Sequence, residues 1–244
     1  MVTAMTAMLV IAFALAAIAL GLWTAPRWLV PWLAARSPRC LYAVPTHEKV
    51  VALTLDDGPD RTSTPEILRL LREYDARATF FFISRNISGA EPMVADAVAQ
   101  GHELGNHLTR DKPSIRLSPS AFVAAMREAG AVLSHFGPVL WLRPGSAWYN
   151  DAMLDAIERE GYRCVLGSVY PYDPYVPIPR LTAAYILANT RPGSVIVLHE
   201  GGARGPRTVE ILGRVLPALR ARGYRVVTLS ELATVSYTTY GDCP

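Results

Sequence analysis

The sequence predicts an α/β fold preceded by one apolar helix. Three observations support this prediction: short apolar runs rich in β-branched residues, helical patterns between those runs, and glycines that end several of the helices. The chain has 244 residues, a length that favours one large domain or at most two small ones. Hydrophobic residues make up 51% of the chain and charged residues 18%, which excludes a disordered or fibrous protein.

The first element is an uncharged apolar segment. No Asp, Glu, Lys or Arg occurs from Val2 to Trp23, and about 20 such residues cross a bilayer as a helix. We therefore assign residues 1–24 to a transmembrane anchor, with a cleaved signal segment or a buried core helix as the alternatives. Trp23, Trp28 and Trp32 cluster where the membrane interface would lie.

Strands and helices alternate over the rest of the chain. The run from Lys49 to Leu55 is apolar and ends in a DDGP turn, which is typical of a strand. Further strands are expected at 78–83, 102–106, 139–143, 162–166, 194–199 and 224–228, and helices at 65–74, 91–100, 118–136, 151–160, 181–190 and 208–222. About seven β/α units of this kind predict a parallel sheet with helical crossovers.

Charge and cysteine content exclude several functions. The formal net charge is only +3 and no long Lys/Arg run occurs, so we expect no nucleic-acid partner. Three cysteines are too few for a disulfide scaffold. If the domain lies outside the cytoplasm, a bridge between Cys40 and Cys243 is one interpretation, with Cys164 as a core thiol; three free cysteines are the alternative.

Polar residues follow several strands at the point where each strand ends. Asp56 and Asp57 follow the first strand, His107 the third, Arg143 the fourth and His199 a later one. Catalytic residues collect at the carboxyl ends of parallel strands. Adjacent carboxylates that close an apolar strand are costly unless they bind a cation or accept hydrogen bonds, although Asp-Gly-Pro is also a common turn. The set as a whole therefore predicts an active site.

Four motifs resemble those of one enzyme family. TLDDGP, GHELGNH, LRPG and VLHEG, in this order and spacing, resemble the NodB-type polysaccharide deacetylases (carbohydrate esterase family four). The resemblance covers roughly residues 49–232. It implies an irregular (β/α)7-type barrel that removes acetyl groups from N- or O-acetylated sugars. It also implies a divalent metal cofactor, usually zinc, with manganese or cobalt as alternatives.

The resemblance also implies a role for each motif residue. Asp56 is the expected general base, Arg143 holds that base in place, and His199 is the expected general acid. Asp57 and His107 are the expected metal ligands. A bound metal would lower the pKa of water and polarise the acetyl carbonyl, and a neighbouring carboxylate would accept the proton of that water.

The chain departs from the usual family pattern at three places: the third metal ligand, the residue that supports the acid, and Gly145 with Ser146, where the family often has Pro and an aromatic residue. The second motif reads HLTRD, so Asp111 stands where the family usually has a histidine, and it is the expected third metal ligand. Two carboxylates and one neutral imidazole cancel the charge of a divalent ion, which predicts a weaker Lewis acid and better tolerance of manganese. The usual segment that supports the acid is not evident, and Asp173 is our candidate for orienting His199.

Four further residues are expected to contact the substrate. The backbone N–H of Ser146 corresponds to the family's oxyanion donor. Trp148 and Tyr149 are expected to supply a sugar-stacking surface, with burial in the core as the alternative for both. Leu198, directly before the last motif histidine, is a further expected contact.

These observations predict a metal-dependent deacetylase that hydrolyses the acetamide of N-acetylated sugars in a cell-wall or cell-surface glycan, of the chitin or peptidoglycan type. The alternatives are an O-acetyl polysaccharide esterase and a non-catalytic glycan-binding relative. The predicted layout is a linker at 25–46, a catalytic domain at 47–236 and a tail at 237–244. Arg27, Arg36 and Arg39 favour a cytoplasmic flank, but the activity requires an extracytoplasmic domain, anchored or secreted.

Overall fold

A computed structural model describes residues 2–238. Nothing is described for the end of the predicted tail, including Cys243. The helices are α1 (Val2–Arg36), α2 (Ser63–Glu73), α3 (Ser84–Ile87), α4 (Glu91–Ala99), α5 (Pro119–Leu133), α6 (Asp151–Arg159), α7 (Pro179–Asn189), α8 (Gly205–Ala221) and α9 (Leu229–Thr238). The strands are β1 (Cys40–Leu41), β2 (Val50–Asp56), β3 (Ala78–Phe82), β4 (Glu103–Asn106), β5 (Trp141–Leu142), β6 (Arg163–Val165), β7 (Val195–His199) and β8 (Arg225–Val227).

Within the described residues, the strands form one parallel sheet of eight strands in the order β1-β6-β5-β4-β3-β2-β7, with β8 paired to β2. The sheet curls until its two ends approach each other. Isolated bridges, Ala43 with Ser194 and Val169 with Ile196, join the ends in place of a continuous ladder. The predicted irregular barrel of β/α units is therefore confirmed, and its closure is incomplete.

Alternation along β2 aims the active-site carboxylate into the barrel. Val51, Leu53 and Leu55 pack in the large core under the helices, whereas Val50 and Ala52 pack in a separate interior core. Since successive strand residues point to opposite faces, Asp56 belongs to the interior set at the carboxyl end of β2. The strand residues are almost fully buried, so any polar group there needs a partner.

The N-terminal helix continues beyond the predicted anchor. Its Met8–Arg36 stretch is long and apolar enough to cross a membrane, and little of it is buried, so it is not a core helix. The predicted linker at 25–46 is helical up to Arg36 and contributes β1 to the sheet. Trp23 packs edge-on against Tyr185 of α7 at 5.4 Å, and Arg27 donates to the Ala188 carbonyl at 3.0 Å. The C-terminal half of this helix is thus in contact with α7 of the domain.

Candidate active site

Asp56, the expected general base, forms a buried ion pair with Arg143. Asp56 Oδ1 accepts a 2.5 Å hydrogen bond from Arg143 Nη1, and both side chains are only 3% exposed. The same nitrogen donates to Thr54 Oγ1 at 2.8 Å, and Arg143 Nε lies 3.3 Å from the Val165 carbonyl. The guanidinium also stacks on Phe81, 4.3 Å from the ring centroid. These contacts fix Asp56 Oδ1 and leave Oδ2 facing the two motif histidines.

The two histidines reach Asp56 from neighbouring strand ends. His199 is the register partner of Asp56 on β7, and its Nε2 lies 4.0 Å from Asp56 Oδ2. His107 follows β4, and its Nε2 lies 3.9 Å from the same oxygen. Because parallel strands end at one edge of the sheet, residues that are far apart in the sequence converge here.

The predicted metal ligands Asp57 and His107 are in contact. Asp57 Oδ1 lies 3.4 Å from His107 Nε2, and Asp57 adopts a left-handed backbone, φ 72°, which Asp tolerates better than most residues. Burial raises the pKa of Asp57, but His107 and the charges of His199 and Arg204 outweigh it and hold the pKa at about 2. Burial lowers the pKa of His107, whereas the carboxylates of Asp56 and Asp57 raise it to about 9.

The His107 ring is oriented for ligation. Its Nδ1 lies 2.8 Å from the Arg143 carbonyl, so Nδ1–H donates there and Nε2 faces Asp57. Metal-binding histidines usually donate the N–H of their other ring nitrogen to a carbonyl or carboxylate in this way. Asp57 and His107 therefore fit a divalent cation as two of its ligands, and binding an ion would displace the proton on Nε2.

Asp111, the expected third ligand, is held by an arginine that the sequence did not single out. Arg204 forms an ion pair through Nη1 with Asp57 Oδ2 at 2.9 Å, and its Nη2 donates a hydrogen bond to Asp111 Oδ2 at 3.1 Å. The Asp111 side chain is 58% exposed. Among residues 2–238, no three His, Cys, Asp or Glu side chains converge as a ready metal site. Asp111 lines the same active-site cavity as Asp57 and His107, but its carboxylate is paired with Arg204.

Asp173 lies where its expected positioning role requires. Its Oδ1 is 3.1 Å from His199 Nδ1, and its Oδ2 accepts from the His199 backbone N–H at 3.0 Å. Burial lowers the pKa of His199, but the hydrogen bond and the charge of Asp173 outweigh it, so this pKa lies above its ordinary value. A protonated His199 is thereby favoured, with Nε2 left to face the cavity.

The site opens into a cavity of about 340 Å³. Ser146 and Trp148 of the predicted substrate contacts line it, as do Tyr170 and Tyr175, and Trp148 is 66% exposed. Ser146 has a positive φ of 61°, which turns the loop after β5 over the cavity. An exposed aromatic beside a polar cavity offers a stacking face for a sugar ring.

Two predicted substrate contacts do not reach the cavity. Leu198 is fully buried in the core under the helices, because alternation along β7 brings Val197 and His199 to the cavity lining and turns Leu198 away. The Tyr149 hydroxyl instead meets the hydroxyls of Tyr42 at 3.0 Å and Ser37 at 2.7 Å. The prediction that Leu198 and Tyr149 contact the substrate is therefore wrong: both side chains pack within the protein.

Glu200 is a second residue whose importance the sequence did not reveal. It is fully buried, and its Oε2 accepts from Thr64 Oγ1 at 2.8 Å. A Cβ on Gly58 would lie 1.9 Å from Glu200 Oε1, so a larger residue at this position of the DDGP turn would force the Glu200 side chain to move. Burial, with the charges of Asp60 and Asp57, raises the pKa of Glu200 to about 8. Glu200 thus packs the turn that carries Asp56 and Asp57 against the end of β7.

Comparison with known proteins identifies the class. Residues 43–165 match the polysaccharide deacetylase family. A peptidoglycan-N-acetylglucosamine deacetylase of Bacillus cereus is 35% identical over 195 residues, covering 78% of this chain and 91% of the relative. The chain therefore belongs to the polysaccharide deacetylase family, as the four motifs predicted.

Solved structures of the family share the fold. A peptidoglycan N-acetylglucosamine deacetylase in complex with 4-naphthalen-1-yl-N-oxidanyl-benzamide aligns with a TM-score of 0.75 at 26% identity, covering 82% of this chain and 94% of the other. A family 4 acetyl xylan esterase from Clostridium thermocellum, in complex with a cobalt ion, aligns with a TM-score of 0.71 at 28% identity, covering 77% and 91%.

Proposed function

We propose that this protein is a metal-dependent deacetylase that hydrolyses the acetamide of N-acetylglucosamine units in a cell-wall glycan. The convergence of Asp56 with His107 and His199 carries the proposal, since a proton acceptor and a proton donor for amide hydrolysis meet beside a cation-binding pair. The 35% identical Bacillus cereus relative, named for peptidoglycan N-acetylglucosamine, supports the substrate class.

The protein groups would divide the proton transfers between them. Asp56 accepts a proton from the attacking water at Oδ2, while Arg143 holds Oδ1 in place. Expelling an amine requires a proton, which His199 donates from Nε2, and Asp173 keeps its Nδ1 protonated. The Ser146 backbone N–H is our candidate donor to the developing oxyanion.

The metal would bind through Asp57 and His107, with Asp111 as the candidate third ligand. When bound, a divalent ion supplies an acidified water and a polarised acetyl carbonyl. Zinc, manganese and cobalt all accept this mixture of carboxylate and imidazole. Because Arg204 pairs with both carboxylates, the ion must compete with a resident positive charge.

We infer that the domain acts outside the cytoplasm, where cell-wall glycans lie. The apolar Met8–Arg36 stretch supports attachment to the membrane, and removal of that segment would instead release a secreted enzyme. Accessibility of an added surface tag in intact cells tests this placement. A tag that is protected until the cells are lysed would contradict it.

An O-acetyl esterase is the second candidate function. The acetyl xylan esterase with 28% identity and a TM-score of 0.71 favours it, because the same groups cleave an ester, whose leaving group needs less help from an acid. Acetate release from N-acetylglucosamine oligomers and peptidoglycan, set against release from acetylated xylan, separates the two functions.

The test of the proposal is Asp56→Asn in the full-length protein, assayed for acetate release with zinc, manganese or cobalt added. General base catalysis contributes about 10²–10⁴-fold, so we expect a loss of at least 100-fold. Asp155→Asn, an exposed carboxylate on α6, is the matched control and should retain activity. Wild-type protein that binds the glycans but releases no acetate would support the non-catalytic alternative instead.

A further inference from the structure

Two cysteines face each other on neighbouring strands, away from the active site. Cys40 in β1 and Cys164 in β6 are register partners in the parallel pair. Their Sγ atoms lie 3.3 Å apart, and both residues are buried, at 4% and 3% exposure. The sequence suggested Cys243 as the partner of Cys40, whereas the fold brings Cys164 beside it.

The backbone geometry suits a disulfide. Neighbouring strands lie about 4.8 Å apart, and the Cα atoms of disulfide-bonded cysteines are usually about 4.4–6.8 Å apart. A sulfur–sulfur bond is about 2.05 Å long, so the two Sγ atoms must approach by little more than about 1 Å. Rotation of the two side chains can supply most of that movement without breaking the strand pair.

The surroundings favour reaction at Cys40. The contact with Cys164 lowers the pKa of the Cys40 thiol more than burial raises it, and the charge of Arg39 lowers it further. A surface groove of about 430 Å³ is lined by both cysteines together with Arg39 and Tyr162. A small disulfide reagent therefore has a path to a thiol that ionises more readily than an ordinary buried one.

We propose that Cys40 and Cys164 form a disulfide in the mature protein, through exchange with a disulfide oxidant. The Cys40 thiolate attacks one sulfur of the oxidant, forming a mixed disulfide and releasing the first thiol. The Cys164 thiolate then attacks the Cys40 sulfur and releases the second. The two cysteines lose two electrons and two protons, and the oxidant is reduced to two thiols.

The bond would fasten the apolar helix to the catalytic sheet. β1 is two residues long and, within residues 2–238, its strand partner is β6. Only Ser37, Pro38 and Arg39 separate it from the end of α1. A cross-link between residues 124 positions apart also restricts the unfolded chain strongly. The segment that joins the helix to the domain would thus be held covalently as well as by a short ladder.

Peptide mapping of the full-length protein tests the pairing. Cells are acidified, free thiols are alkylated before lysis, and the digested protein is analysed by mass spectrometry without reduction. We expect one linked peptide pair that contains Cys40 and Cys164. Cys243→Ser is the matched control, and it should give the same linked pair. Alkylated Cys40 and Cys164, or a link between Cys40 and Cys243, would overturn the proposal.

A second measurement does not depend on any cysteine variant. The purified wild-type protein is equilibrated with oxidised or reduced glutathione, and its melting temperature is measured in each buffer. We expect the oxidised form to melt higher by about 5–10 °C. Equal melting temperatures together with unlinked peptides in the oxidising buffer would show that the pair does not form the bond. Neither result depends on catalytic activity, so the proposed function is tested separately.

Discussion

Replacing Glu200 by Gln should stabilise the protein increasingly as the pH rises from 5 to 8. Glu200 is fully buried directly after His199, and its Oε1 has no hydrogen-bond partner while Oε2 accepts from Thr64. Burial, with the neighbouring carboxylates, raises its pKa from the ordinary 4.5 to about 8. The folded protein therefore holds a proton on Glu200 that the unfolded chain loses near pH 4.5.

The sign and the size of the effect follow from that difference. Between the two pKa values the folded state binds one more proton than the unfolded state, so the free energy of unfolding falls as the pH rises. At about 1.4 kcal/mol per pH unit, the loss attributable to Glu200 reaches about 3 kcal/mol between pH 5 and pH 8. Gln carries no titrating proton, so Glu200→Gln removes this loss and keeps nearly the same shape.

The assay is urea unfolding followed by tryptophan fluorescence at several pH values, in one detergent and one salt concentration. The informative quantity is the difference in unfolding free energy between variant and wild type, because contributions from all other groups cancel in it. That difference should grow by about 3 kcal/mol from pH 5 to pH 8. Glu210→Gln, an exposed carboxylate on α8, is the control and should give a flat difference.

A difference for Glu200→Gln that does not change with pH would refute the reasoning. It would mean that Glu200 titrates near its ordinary value, in spite of its burial. A difference of the opposite sign would mean that the ionised carboxylate is stabilised in the folded protein. Either result would remove Glu200 as a neutral packing group behind the active-site turn.

Three further predictions concern the active site. Asp173→Asn removes the charge that raises the pKa of His199, so the alkaline limb of the kcat/KM profile should move to lower pH; an unmoved limb would exclude His199 as the acid. Arg204→Ala removes a competing cation and should lower the zinc dissociation constant about tenfold, measured by titration calorimetry. The control Arg214→Ala should leave zinc affinity unchanged. Trp148→Ala should raise KM about fivefold for glycan oligomers at nearly constant kcat; a changed kcat alone would contradict sugar stacking.

Sequence patterns predicted most of the fold because the strands are short, apolar and regularly spaced. β2, β3, β4, β6, β7 and β8 lie within about two residues of their expected positions. β1 was not predicted, because two residues carry no periodicity. The helical continuation to Arg36 was also missed, because Pro26 and Pro31 lie inside it and proline usually indicates a helix boundary.

The sequence by itself determined the class of chemistry, because Asp56, Asp57, His107, Arg143 and His199 each end or follow a strand within a recognisable motif. Their convergence then follows from the shared edge of a parallel sheet. Which side chains meet across distant segments was decided by the tertiary structure alone.

Three contacts illustrate what the chain order conceals. Arg204 reaches both Asp57 and Asp111 from a loop more than 90 residues away along the chain. Glu200 packs beneath the DDGP turn. Cys40 lies beside Cys164 because β1 and β6 are neighbouring strands, whereas the chain order suggested Cys243 as its partner. Motif spacing records local geometry, but such contacts depend on how the sheet curls and closes, and no short stretch of sequence encodes that curvature.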